Sequence, residues 1–115
     1  MRSTFHLVRA TDWAAADPTV AWTPPSLATE GFIHCTDGLA AMVETANRHY
    51  SGEGGEFLLL TVDLDAVGVP WRFDKPGSPY PHIYGPLPRS AILDVRPMPR
   101  DAGGRFRSPR APEGG

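Results

Sequence analysis

The chain has one cysteine, Cys35, little net charge, no internal repeat and no apolar run of bilayer width, and each shortage excludes something. A lone cysteine rules out an intramolecular disulfide and any metal site built on a cysteine pair, and it suits a reducing compartment. No stretch nears the roughly 20 apolar residues that cross a bilayer. The first residues also lack the charged-then-apolar layout of a secretory signal, so a cytoplasmic protein is expected. A formal charge of −2 gives no whole-protein attraction to nucleic acid or an anionic surface. Neither DNA nor a membrane is an expected partner. HxH, HExxH and Cys-x-x-Cys patterns are missing, so no metal site is expected, although three scattered histidines could in principle hold zinc. At 115 residues there is room for one domain with a single core.

What the chain does have is histidine in unusual places. The segments Gly31-Phe32-Ile33-His34-Cys35-Thr36 and Pro81-His82-Ile83-Tyr84-Gly85-Pro86 each set a histidine among apolar strand formers and beside tight-turn residues, and His6 sits in the first apolar run. An imidazole is a poor core filler, so the pattern favours chemistry or ligand binding over packing alone. Side chains alternate along a strand, so Phe32 and His34 share one face while Ile33 and Cys35 take the other. If Ile33 faces the core, His34 faces a cleft or solvent. His82 and Tyr84 likewise share a face. His49, late in a helix, reads as a surface residue. Cys35 reads as a small buried side chain, because adjacent strand residues point apart and the His34–Cys35 pair cannot act as base and nucleophile. Glu30, at a loop-to-strand junction, can point into a cleft, whereas Asp63, Asp65 and Asp74 read as turn residues. Trp13, Trp22, Trp71 and Tyr84 can wall a base or nicotinamide; Ser26 and Thr36 can supply hydroxyl donors, or Thr36 can serve a helix start.

The periodicities predict an α+β domain over residues 1–98. Strands are expected over 4–9, 32–34, 57–62, 71–74, 82–84 and 91–96; the run Phe57-Leu58-Leu59-Leu60-Thr61-Val62 is expected to be central because it lacks clean alternation. Thr11 is expected to cap a short helix at Trp13–Ala16, and the prolines beyond Trp22 predict a loop. Asp37 is expected to cap a helix reaching Tyr50, with Leu39, Met42, Val43, Ala46 and Tyr50 on one face. From Pro99 to Gly115, Phe106 is the only large apolar residue, so a flexible Pro/Gly/Arg-rich tail is expected. Its four arginines against Asp101 and Glu113 leave −4 on residues 1–98.

The runs PPSLATEGFIHCT and PHIYGPLP and the opening FHLVRATDW together resemble the bacterial family known as domain of unknown function 952, over nearly all of residues 4–97. That family resembles the ADP-ribosyltransferase fold, whose split sheets clasp NAD in a cleft and which also includes RNA 2'-phosphotransferases. The resemblance implies an ADP-ribosyltransferase-like split-sheet domain with few short helices. It places His6 where such transferases hold the nicotinamide ribose, His34 near their aromatic position and His82 near their catalytic glutamate. Here the pattern departs, since histidine stands in place of both tyrosine and glutamate. An imidazole cannot reproduce the carboxylate that steadies an oxocarbenium-like ribose.

The resulting expectation is a nucleotide-binding transferase or hydrolase acting on NAD, ADP-ribose or a phosphorylated nucleotide or RNA end, with NAD the candidate cofactor. His34 and His82 are the expected catalytic residues, and His6, Trp22, Ser26, Thr36 and Tyr84 the expected ligand contacts. The alternatives are a non-catalytic nucleotide-binding module and a three-histidine metal-dependent hydrolase.

Overall fold

The computed structural model describes residues 1–109 and places two three-stranded antiparallel sheets beside a small set of helices, an α+β architecture. In the first sheet β3 (Phe57–Asp63) lies between β1 (Ser3–Arg9) and β6 (Ile92–Pro97). Its unbroken apolar run has a plain cause, because both of its faces are covered. Leu60 and Val62 join one apolar cluster with Val8, Ile33, Ile83 and Leu87, while Phe57 and Leu59 join a second with Met42, Ala46, Met98 and Phe106.

The second sheet has the order β2-β5-β4, from Ile33–His34, Pro81–Ile83 and Trp71–Phe73 respectively. The pairing sets Ile33, Ile83 and Trp71 in one row and His34, His82 and Arg72 in the next. Ile33 and Ile83 are fully buried, so the alternation turns the two histidines and Arg72 to the opposite face. The two sheets are tied where Phe5 and Thr36 exchange backbone hydrogen bonds of 3.0 and 2.8 Å.

The helices are α1 (Ala10–Ala15), α2 (Pro25–Glu30) and α3 (Leu39–Tyr50), with short 3-10 turns at Leu64–Ala66 and Arg89–Ala91. Three local expectations are corrected. The stretch expected as a loop after Trp22 contains α2: Pro25 occupies the first helical turn, where its missing N–H costs nothing, and Gly31 ends the helix at φ +88°. Thr11 lies inside α1 and makes no cap. Asp37 does not cap α3 either, since its carboxylate pairs with Arg2 at 2.5 Å and Gly38, at φ +84°, occupies the cap position.

Residues 99–109, expected as the start of a flexible tail, instead lie along α3. Phe106 is buried edge-on against Phe57, and its backbone N–H and C=O both bond the Asn47 amide at 2.6 and 3.0 Å. The Arg100 guanidinium donates to the carbonyls of Ser51, Glu53, Gly55 and Gly104. These carbonyls include groups just past the end of α3, so one side chain supplies donors that a helix end lacks. The rest of the expected tail, 110–115, lies outside the described residues.

Candidate functional site

A cleft of about 510 Å³ is lined from both sheets and from α3, within the usual range for small-ligand sites. β1 contributes Phe5 to Arg9, the second sheet contributes His34 and His82, and the segment leading into α2 contributes Trp22, Pro24, Pro25 and Ser26. α3 contributes the apolar Met42 and the polar Thr45, Arg48 and His49, and Tyr80 also lines the cavity. Of the expected site residues, His6, Trp22, Ser26, His34, Thr36 and His82 border this one cavity; Tyr84 does not and stands beside it.

These residues are not equivalent. His6 is buried, its Nδ1 lies 2.7 Å from the His34 carbonyl, and Trp22 Nε1–H donates to its Nε2 at 3.0 Å. A carbonyl accepts only and an indole N–H donates only, so the ring is neutral with its proton on Nδ1. Burial pulls its pKa from 6.5 down to about 4, against the raising effect of the His34 carbonyl. Both nitrogens are thus committed, and His6 with Trp22 forms a strut that holds the backbone of His34. Ser26 Oγ donates to the Phe32 carbonyl at 2.9 Å and braces the same strand entry. Thr36 is buried beside β1. Cys35 is buried, and that burial pushes its thiol pKa up, so it is no nucleophile.

His34 and His82 face each other across the β2–β5 pair with ring centroids 5.5 Å apart and edge-on. Each has a carboxylate on one nitrogen. His34 Nε2 meets Glu30 Oε2 at 2.9 Å, and His82 Nδ1 meets Asp74 Oδ2 at 2.7 Å. Phe32 stacks on His82 at 4.0 Å and 16° and touches His34 and Tyr84 with its edge or a tilted face. His34 is half exposed, while His82 keeps 18% of its side chain open.

Asp74 is the hub beside His82. It accepts from the Tyr84 hydroxyl, from Arg72 Nε at 2.7 Å and from His82. The Tyr84 bond foremost, then Arg72 and His82, hold its carboxyl well below the ordinary range, and Asp74 in turn raises the Tyr84 phenol. Arg72 also covers the Tyr84 ring at 4.1 Å. A carboxylate that receives Nδ1–H fixes the tautomer of His82 and leaves Nε2 for a ligand, and the Glu30 contact leaves His34 Nδ1.

Asp74 and Arg72 were not legible as site residues, because a carboxylate after a short strand reads as a turn. The signal that finds them is antiparallel pairing: Phe73 lies opposite Pro81, which brings Asp74 diagonally to His82. Glu30 ends α2 and His34 lies in β2, so their contact follows from the turn of the chain at Gly31 rather than from helical spacing. Among the described residues no group of three or more His, Cys, Asp or Glu side chains is placed to hold a metal ion. With both His6 nitrogens taken, the three-histidine metal arrangement has no geometric support.

Fold and site together define a small two-sheet α+β protein with a cleft carrying two carboxylate-backed histidines. The family model described as Protein of unknown function (DUF952) matches residues 7–95, and the chain belongs to that family. It is similar to the crystal structure of protein CC0527 from Caulobacter crescentus, at 25% identity and a TM-score of 0.75 over 92% of this chain and 94% of that one. The solution structure of CC0527 gives a TM-score of 0.69 over 90% of each chain, again at 25% identity. None of the curated proteins matches the chain. Among the described residues no helix is long and apolar enough to cross a membrane.

Proposed function

We propose that this protein is a small transferase or hydrolase of phosphorylated nucleotides, acting on NAD, ADP-ribose or a phosphorylated nucleotide or RNA end, with His34 and His82 as its acid–base pair. The observation that carries the reading is the pair itself: two imidazoles 5.5 Å apart on one cleft, each with one nitrogen held by a carboxylate. On a phosphate ester, one neutral ring takes the proton of the attacking hydroxyl or water as its oxygen bonds phosphorus, and the other, as imidazolium, protonates the oxygen whose bond to phosphorus breaks; on NAD, where nicotinamide departs neutral from the ribose carbon, only the base is required. Asp74 and Glu30 act through the rings as positioning residues, since each fixes which nitrogen exchanges the proton. His6 and Trp22 set the strand that carries His34. The split sheets and the cleft they share agree with an ADP-ribosyltransferase-like domain, and the lone cysteine agrees with a cytoplasmic location.

The test is turnover of NAD, ADP-ribose and a 2'-phosphorylated oligoribonucleotide, followed by chromatography, for wild type, His34→Ala, His82→Ala and the double variant. Loss of one partner should lower the rate about 10²–10⁴-fold. The double variant should lose little more, because the two rings act as a unit. Saturable binding of one of these ligands without turnover assigns the cleft to a binding module instead. Turnover that survives both substitutions excludes the pair.

A further inference from the structure

Away from the two histidines, the cleft has a second polar wall. Thr45, Arg48 and His49 stand at i, i+3 and i+4 on α3, so they share one helical face, and all three line the cavity. Tyr80 reaches the same place from the chain entering β5, with its hydroxyl 3.3 Å from Thr45 Oγ1. Arg9, ion-paired with Glu53 at 2.5 Å, also borders the cavity, and among the described residues Asp12 is the only carboxylate residue that lines it. The cleft thus offers two guanidinium groups, each now paired with one carboxylate, that a phosphate dianion can engage in that carboxylate's place.

We infer that the cleft takes its ligand by a terminal phosphate monoester seated on the Arg48 guanidinium with the Thr45 and Tyr80 hydroxyls. The inference rests on the proposed function and narrows it, because NAD and ADP-ribose carry only bridging diphosphates and a phosphorylated nucleotide or RNA end carries the monoester. Arg48 presents a planar fork of donors suited to phosphate oxygens; the Tyr80 hydroxyl, which accepts from Thr45 Oγ1–H, can donate its own proton to the phosphate, and Thr45 can donate there in exchange for its long bond to Tyr80. Its present ion pair with Glu44, at 2.7 Å, is solvent-exposed on both sides and of the kind that exchanges at small cost. Tyr80 stands two residues before His82, so in extended chain their Cα atoms are about 6.6 Å apart and on one face. A phosphate held at Tyr80 thus leaves the sugar of the same nucleotide within reach of His82 and His34.

The experiment is calorimetric titration of adenosine 5'-monophosphate, inorganic phosphate and adenosine at fixed ionic strength into wild type, Arg48→Met, Tyr80→Phe, His34→Ala and His82→Ala, each checked for native circular dichroism. The monophosphate should bind at least tenfold more tightly than adenosine. Arg48→Met should remove most of that advantage and Tyr80→Phe a smaller part, with adenosine unaffected. If the monophosphate binds and weakens in the histidine variants but changes less than twofold in Arg48→Met and Tyr80→Phe, the phosphate seat is overturned and the histidine reading survives. If neither monophosphate nor phosphate binds wild type, the seat is overturned as well, and turnover of NAD or ADP-ribose decides the histidine reading separately.

Discussion

Lowering the pH from 7 to 4.5 should cost the fold about 2 kcal/mol through His6 alone. The folded ring is held neutral by burial, with a pKa of about 4, whereas the unfolded chain titrates near the ordinary 6.5. The unfolded state therefore binds a proton that the folded state refuses, so stability is at its full value above about pH 6.5 and falls as the pH drops toward 4. The full difference of 2.5 pKa units corresponds to about 3 kcal/mol, most of it spent by pH 4.5. The assay is urea unfolding of wild type and His6→Gln at pH 7, 6, 5 and 4.5. The glutamine does not titrate, so although this variant starts from lower stability, its unfolding free energy should fall less between pH 7 and 4.5, by about 2 kcal/mol. Every other ionisable group is common to both proteins and cancels in that comparison. Parallel pH dependences for the two proteins would refute a neutral, buried His6.

Asp74→Asn should leave the fold intact, because the site is at the surface, but release the tautomer of His82, which nitrogen-15 NMR reads as a shift of the ring proton away from Nδ1 alone. Phe106→Ala should destabilise by about 3 kcal/mol, through loss of a buried aromatic packed on Phe57, as read by urea unfolding; a truncation within 0.5 kcal/mol of wild type would mean a solvated tail after all. Gly85→Ala should lower Tm by several degrees, since a Cβ there would stand 2.8 Å from Val69 Cγ1 and force about 1–3 kcal/mol of overpacking.

What the sequence revealed and what it concealed follow from range. The central place of β3 was legible because a strand covered on both faces must be apolar throughout, and the outward turn of His34 and His82 followed from alternation once Ile33 and Ile83 were buried. α2 was masked by prolines that also suit a first helical turn. Asp37 has the chemistry of a cap but is taken by Arg2, 35 residues away, a competition that local pattern cannot express. The segment after Pro99 is held by Arg100 and Phe106 through contacts 45 to 59 residues distant, and a single aromatic among glycines and prolines carries no periodicity. His6 was read as a ligand contact because an imidazole is a poor core filler and the family resemblance places it at the nicotinamide ribose; its two hydrogen bonds come from β2 and Trp22, which only the tertiary structure brings together.

The central claim is that His34 and His82 serve one ligand while His6 serves the fold. Nitrogen-15 NMR of the histidine rings during titration with NAD, ADP-ribose and a 2'-phosphorylated RNA end tests it most directly. The account predicts that one of these moves the His34 and His82 signals together along a single saturation curve, with His6 keeping its proton on Nδ1 throughout. Ligand binding that leaves both rings unmoved, or no binding by any of the three, would contradict it.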